Sequence, residues 1–323
     1  MKTRRLGKTG YEVSEIGLGC WQLGEAFGPV NDETAELILQ TADRLGVSFW
    51  DTADVYGGGQ SERRIAAHGT SGVKVATKVG RGSGVYPDGY SLESVRRSLQ
   101  GSAERLGVTT IDLAQLHCVP TAVLEEGSIF GWMDQLQAEG LVRHWGASVE
   151  TIAEGKICLR QPGCATLQII FNLFRQDAAK DLLPQAAEQD VGIIVRLPLA
   201  SGLLSGKFDK GTRFDSSDHR NYNQDGQAFS VGETFSGIPF ERGVELVAEL
   251  KGLAPQAMPM SQFALRWILD HKEVSTVIAG VSKPSQLEDN VAATEQRSLF
   301  PALMGRLDEW YREQVKPEIR GGV

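Results

Sequence analysis

Apolar positions along this chain follow two alternating rhythms. Short unbroken runs of Val, Ile, Leu and Ala mark strands, and apolar residues at three- and four-residue steps mark amphipathic helices. The first run lies at 16–18. Asn31 then caps a helix with Asp32 and Glu33 in its first turn, Ala35, Ile38, Ala42 and Leu45 along one face, and Gly46 at its end. A second strand, 47–50, ends at Asp51. Further runs at 73–79, 111–116, 142–145, 167–170, 192–195 and 276–278 read as strands. Between them lie helical segments. One opens at Ser91, carries Val95, Leu99 and Leu106 and closes at Gly107; one follows a loop and runs to Glu139 and Gly140; one starts near Pro284. The stretch 299–315 predicts a last helix outside the barrel.

Eight strand candidates divided by helices predict parallel pairing, because only a crossover of a dozen or so residues returns the chain to the same edge. Eight such units close on themselves, so the fold class is α/β, a (β/α)8 TIM barrel. Gly10, between two short extended pieces, marks an N-terminal β-hairpin. Residues 200–240 break the rhythm. They are rich in Gly, Ser, Asp and Asn, and predict a long loop over one barrel end. No repeat and no linker divides the sequence, so 1–323 is expected to be one barrel domain.

The formal net charge of -8 argues against a nucleic-acid partner, which calls for a basic stripe. Four cysteines (Cys20, Cys118, Cys158, Cys164) are too few and too scattered for a disulfide framework, and Cys158 and Cys164 have no second pair with which to hold zinc. No apolar stretch approaches ~20 residues and the basic start is not followed by one, so no membrane span is expected and the cytoplasm is the expected compartment.

In a barrel of this kind, chemistry belongs at the carboxyl ends of the strands. The second strand ends in Asp51-Thr52-Ala53-Asp54-Val55-Tyr56-Gly57, the third holds Lys78 near its end, and the fourth ends in His117. Taken singly, each has an ordinary reading: a helix cap, a solvated cation, a packing imidazole. Together they make a circuit. A phenol with a pKa near 10 is a poor acid or base at neutral pH. An adjacent ammonium favours the phenolate, a carboxylate holds the ammonium, and an imidazole can orient a substrate oxygen.

The run Asp51 to Gly57 with Ser61 and Glu62 after it, Lys78 in Ala76-Thr77-Lys78, and His117 after Leu116 resemble the signature of the aldo-keto reductase superfamily. The resemblance begins at Leu6-Gly7-Lys8-Thr9-Gly10 and covers nearly the whole chain. It implies that Asp51, Tyr56, Lys78 and His117 form a catalytic tetrad, with Tyr56 as proton donor in the reduction of a small-molecule aldehyde or ketone to an alcohol, or the reverse.

No strand-linked Gly-x-Gly-x-x-Gly and no P-loop is present, which disfavours a Rossmann dehydrogenase. Barrel enzymes can hold phosphates with the loops after strands seven and eight. Here those loops carry Leu199, Ser201 and Lys207, and then Gly280, Ser282, Lys283, Gln286, Asp289 and Asn290. The family resemblance assigns Ser282, Lys283, Gln286 and Asn290 to the adenosine end of a nicotinamide cofactor, with Leu199, Ser201 and Lys207 near the pyrophosphate. Ser148 and Gln168 would face the carboxamide, and Trp21, Gly280 and Asp289 complete the cofactor set.

Three positions depart from the family pattern. Val149 follows Ser148 where Asn is common; Arg196 replaces an aromatic that stacks on the nicotinamide; Ser282 stands where NADPH-preferring relatives often carry Arg. Arg196 can stack through its planar guanidinium or reach an anionic substrate. With Lys283 left to supply charge for a 2′-phosphate, NADP is the expected cofactor and NAD the alternative. Two other functions are weighed. One is a cofactor-binding sensor or regulatory subunit with little turnover; the other is a barrel aldolase using Lys78 as a Schiff base.

Overall fold

The structure is a computed structural model that describes residues 1–24 and 30–322. All eight expected strands form. Numbered along the chain, the strands are β1 (Thr3–Arg5), β2 (Glu12–Ser14), β3 (Ile16–Gly19), β4 (Phe49–Asp51), β5 (Lys74–Val79), β6 (Ile111–His117), β7 (Val142–Ser148), β8 (Cys164–Ile170), β9 (Gly192–Arg196) and β10 (Val274–Gly280). Strands β3 to β10 pair in parallel and close into a barrel, β10 meeting β3. The expected hairpin is β1 paired antiparallel with β2. It covers the barrel's amino-terminal end, where Leu6 and Val13 bury against Phe49, Ala76, Leu113, Ile194 and Ile278.

The helix signals act as read. The Asn31 side chain accepts a hydrogen bond from the Thr34 amide at 2.9 Å, and Gly46 ends the helix Asp32–Leu45 with a left-handed φ of 71°. Ser91 caps the helix Leu92–Leu106 in the same way. Apolar faces of these helices pack onto the outside of the barrel, burying side chains such as Ile38, Leu39 and Leu99 completely. Such burial contributes roughly 1.5–3 kcal/mol for each large aliphatic side chain. The β7–β8 pairing depends on Gly146, because any Cβ there would overlap Thr166 across the pair.

Two expectations change. The stretch before Gly140 is two helices, Thr121–Glu126 and Ser128–Ala138, broken at Gly127 with φ 88°. Residues 200–240 are no featureless loop. They hold short helical turns at Ala200–Ser205, His219–Tyr222, Val231–Glu233 and Phe235–Gly237. Phe208, Phe214, Phe235 and Phe240 cluster beneath them with ring centroids 5.1–6.1 Å apart. This cluster joins residues distant in sequence without helical or strand periodicity, so no local pattern announces it. No helix among the described residues is long and apolar enough to cross a membrane.

Candidate active site

Strand alternation decides which side chains enter the barrel. Residues two apart share a face, so Gln115 and His117 point the same way on β6. Register then sets their neighbours: His117 lies opposite Ser148, and Ser148 opposite Gln168. Asp51 ends β4 beside Ala76, two residues before Lys78 on β5. Four polar side chains therefore meet in the barrel's interior, where Asp51, Lys78, Gln115 and Gln168 are each at most 2% exposed.

Burial of that kind is tolerated only when every polar group is partnered. Lys78 Nζ donates to Asp51 Oδ2 at 2.5 Å, to the Thr52 carbonyl at 2.8 Å and to the Tyr56 hydroxyl at 3.2 Å. Asp51 Oδ1 accepts from Gln115 Nε2 at 2.9 Å and from Gln168 Nε2 at 2.8 Å. The Ser148 hydroxyl donates to Gln168 Oε1 at 3.1 Å. The His117 ring stands edge-on to Tyr56 at 5.9 Å, and its buried Nδ1 has no partner among the described residues. Trp21 stacks on the other side of Tyr56, also at 5.9 Å.

Burial opposes the charge on Lys78, yet Asp51 and the Tyr56 hydroxyl outweigh it and hold the ammonium above its usual pKa. Burial, with Arg81, Lys78 and Arg196 nearby, keeps His117 well below its ordinary value and therefore neutral. Tyr56 corrects the expectation from sequence. Lys78 does pull its pKa down, but burial outweighs that pull and the phenol ends above its ordinary value. The phenol is thus protonated at neutral pH.

Asp51, Tyr56, His117, Ser148 and Gln168 line a cleft of about 640 Å³. Its lining includes the aromatic residues Trp21, Tyr86, Tyr222 and Phe229 and the charged residues Arg81, Glu150, Glu233 and Arg196. Glu233 links the two arginines. Arg81 Nη2 lies 2.6 Å from Glu233 Oε1 and 2.8 Å from Glu150 Oε1, while Arg196 Nη1 lies 3.7 Å from Glu233 Oε2. Arg196 Nη2 also donates to the Val149 carbonyl at 3.1 Å. Sequence reading passed over Arg81, Gln115, Glu150 and Glu233. Gln115 was accessible from its spacing to His117, and Arg81 from its place just beyond β5. Glu233 carries no local signal.

The residues assigned to a cofactor by resemblance fall into three groups. Trp21, Ser148, Gln168, Arg196 and Gly280 line the cleft. Half-buried Leu199, buried Ser201 and exposed Lys207 follow β9, with the Ser201 hydroxyl donating to the Glu233 carbonyl at 3.2 Å and accepting from the Phe235 amide at 3.2 Å. Ser282, Lys283, Gln286, Asp289 and Asn290 cluster at and along the helix Pro284–Val291 after β10. There Gln286 Oε1 accepts from the Ser282 amide at 2.7 Å and its hydroxyl at 3.2 Å; Lys283 and Asp289 are exposed and Asn290 is buried.

A closed parallel barrel with buried ionisable groups at the mouth of its strands has the architecture of a barrel enzyme. Residues 15–312 match the model of the aldo/keto reductase family, and the chain belongs to that family of oxidoreductases. It is 30% identical over 318 residues to L-galactose dehydrogenase of Arabidopsis thaliana, covering 93% of this chain and 90% of the relative. It is 31% identical to a putative voltage-gated potassium channel subunit beta of Schizosaccharomyces pombe, covering 95% and 92%. The glycerol dehydrogenase structure from Gluconobacter oxydans superposes with a TM-score of 0.78 at 25% identity, covering 100% of this chain and 98% of that one.

Proposed function

We propose that this protein is an NADP(H)-dependent reductase of aldehydes or ketones, reversible with the matching alcohols, in which Tyr56 carries the proton. The observation that carries the reading is the single buried ammonium of Lys78, bonded at once to Asp51 and to the Tyr56 hydroxyl, both of which line an open cleft.

The cofactor fits the residues present. Ser148 Oγ and Gln168 Oε1 offer an amide-recognising pair in the cleft lining, which also holds Arg196, whose buried Nε has no partner among the described residues. Lys207 and Lys283 are exposed cations beside the two loops that follow the last strands. When bound, the nicotinamide supplies a hydride. The chain's own work is to place and protonate. Neutral His117 and the Tyr56 hydroxyl orient the carbonyl oxygen; Tyr56 gives its proton to that oxygen; Lys78 stabilises the phenolate left behind; Asp51 fixes Lys78. In the alcohol direction the same phenolate takes the proton back.

A second reading, a cofactor-binding subunit with little turnover, is favoured by the relatives named as potassium channel subunits. Against it stands a complete proton circuit, which binding alone does not need. An aldolase role for Lys78 is disfavoured because a Schiff base needs a neutral amine. Fluorescence titration with NADPH and NADH, followed by an aldehyde panel, tests the proposal. Tighter NADPH binding with NADPH oxidation is expected; binding without turnover on any carbonyl would give the site to the sensor reading.

A further inference from the structure

Part of the cleft lining, Phe229 and Glu233 included, is supplied by a loop with its own architecture. Residues 224–237 run between the short helix His219–Tyr222 and the helix Phe240–Leu253, and Ala228, Phe229, Ser230 and Glu233 line the cleft. Buried Asn223, just before the loop, is its brace. Its Oδ1 accepts from the Ala228 and Phe229 amides at 2.9 and 3.0 Å, and its Nδ2 donates to Thr234 Oγ1 at 3.0 Å. The neck is tied from outside. Arg320 Nη2 donates to the Gln224 carbonyl at 2.8 Å, and its Nε donates to the Gly237 carbonyl at 3.0 Å. One guanidinium therefore bonds both ends of the loop. The Arg320 amide adds a bond to Gly237 O at 3.1 Å, and Asp225 accepts from Nη1 at 2.5 Å. Buried Arg175 holds the same neck from below, donating to Ser236 O at 3.0 Å and to Gly322 O at 2.5 Å.

We propose that Arg320 is a positioning residue for the reductase site, closing the neck of the 224–237 loop so that Phe229 and Glu233 stand as the wall of the substrate cleft. A compact loop whose ends are held together keeps its inner face ordered, whereas an open neck lets it fluctuate. The planar fork matters more than the charge. The Arg320–Asp225 pair is largely exposed, at 37% and 66% side-chain exposure, and such pairs contribute little. The two backbone carbonyls need donors set apart as they are in a guanidinium, which an ammonium cannot reproduce.

This proposal rests on the reductase reading for its kinetic consequence only, because the wall can be watched without turnover. Cys118 lies under the loop, its Sγ 3.9 Å from Glu233 Oε1, and is partly exposed, whereas Cys20, Cys158 and Cys164 are buried. The experiment is iodoacetamide labelling of the full chain, read per cysteine by peptide mass spectrometry, in wild type, Arg320→Ala, Arg320→Lys and Asp225→Asn. In Arg320→Ala, Cys118 is expected to label at least about fivefold faster while the three buried cysteines stay slow, the signature of local opening. Arg320→Lys should recover only part of the protection, and Asp225→Asn should behave as wild type. Unchanged Cys118 labelling in Arg320→Ala overturns the proposal. So does a parallel rise at all four cysteines, which would report global loosening.

On an accepted aldehyde, Arg320→Ala is expected to raise KM by about fivefold or more with kcat within about twofold, since the wall binds substrate and the proton circuit is untouched. A fall in kcat at constant KM also counts against it. Wild-type protein inert toward every carbonyl would defeat the reductase reading alone and leave the labelling result standing on its own.

Discussion

At the scale of single residues, the site is governed by what a buried ammonium requires. Lys78 has three acceptors for three protons, and removing it would strand the Asp51 carboxylate on two amide donors in a dry interior. Breaking a buried ion pair from one side typically costs about 3–5 kcal/mol. Lys78→Met is therefore expected to unfold at markedly lower urea and to lose at least ~100-fold in kcat. Tyr56→Phe separates the two effects: it deletes the proton carrier and one acceptor of Lys78 but keeps the Asp51–Lys78 pair, so cofactor affinity should persist while kcat falls ~100-fold or more. A Tyr56→Phe enzyme with near-normal kcat would remove Tyr56 from the reaction. The pH profile follows from the same group. Burial holds the phenol above its ordinary value of 10.0 against the pull of Lys78, so the protonated form needed for reduction persists through neutral and mildly alkaline pH. Reduction should decline only above about pH 10; a midpoint near pH 8 in steady-state kcat would contradict this.

At the scale of elements, the turn after β4 balances function against stability. Asp54 sits in it, two residues before Tyr56, accepting from Ser98 Oγ on the neighbouring helix at 2.8 Å with its other oxygen unpartnered. Burial raises its pKa from 3.8 to about 6; the Ser98 bond opposes that and nearby Glu62 adds to it. A carboxyl raised on folding destabilises the native state when ionised. The cost is absent below the unfolded value of 3.8, grows as pH rises toward 6 and is complete above it. A rise of about two pKa units corresponds to at most about 3 kcal/mol. Asp54→Asn keeps an acceptor for Ser98 and cannot ionise. It is expected to stabilise the protein by about 1–3 kcal/mol at pH 8 and not at pH 4, measured by urea unfolding at both.

At the scale of the whole molecule, the 200–240 segment joins parts of the barrel that the strands alone do not join. Through Glu233 it meets Arg81 beyond β5 and Arg196 at the end of β9. Two cations and two carboxylates meet there, so the group carries no formal net charge. Glu233→Gln removes one negative charge and leaves both guanidinium groups facing the cleft. An aldehyde bearing a carboxylate should then gain roughly tenfold in kcat/KM relative to a neutral aldehyde of the same length, the scale of one unit charge felt over a few ångströms in partly screened surroundings. An unchanged ratio in competition assays would show that these guanidinium groups do not face substrate.

The sequence by itself determined the barrel and most of its chemical floor. Strand runs, caps at Asn31 and Ser91, and closing glycines at 46 and 107 are local signals that act over one or two turns, and they placed every strand. Asp51, Lys78 and His117 were legible because strand ends are the working end of a parallel barrel, and Tyr56 because it follows one. Only the tertiary structure decided what depends on long-range approach: the break at Gly127, the aromatic cluster under the 200–240 segment, and the meeting of Arg81, Glu150, Arg196 and Glu233. It also reversed the expected direction for Tyr56. The sequence shows which charge will be near a phenol, but desolvation depends on everything packed around it, and that is set only once the chain has closed.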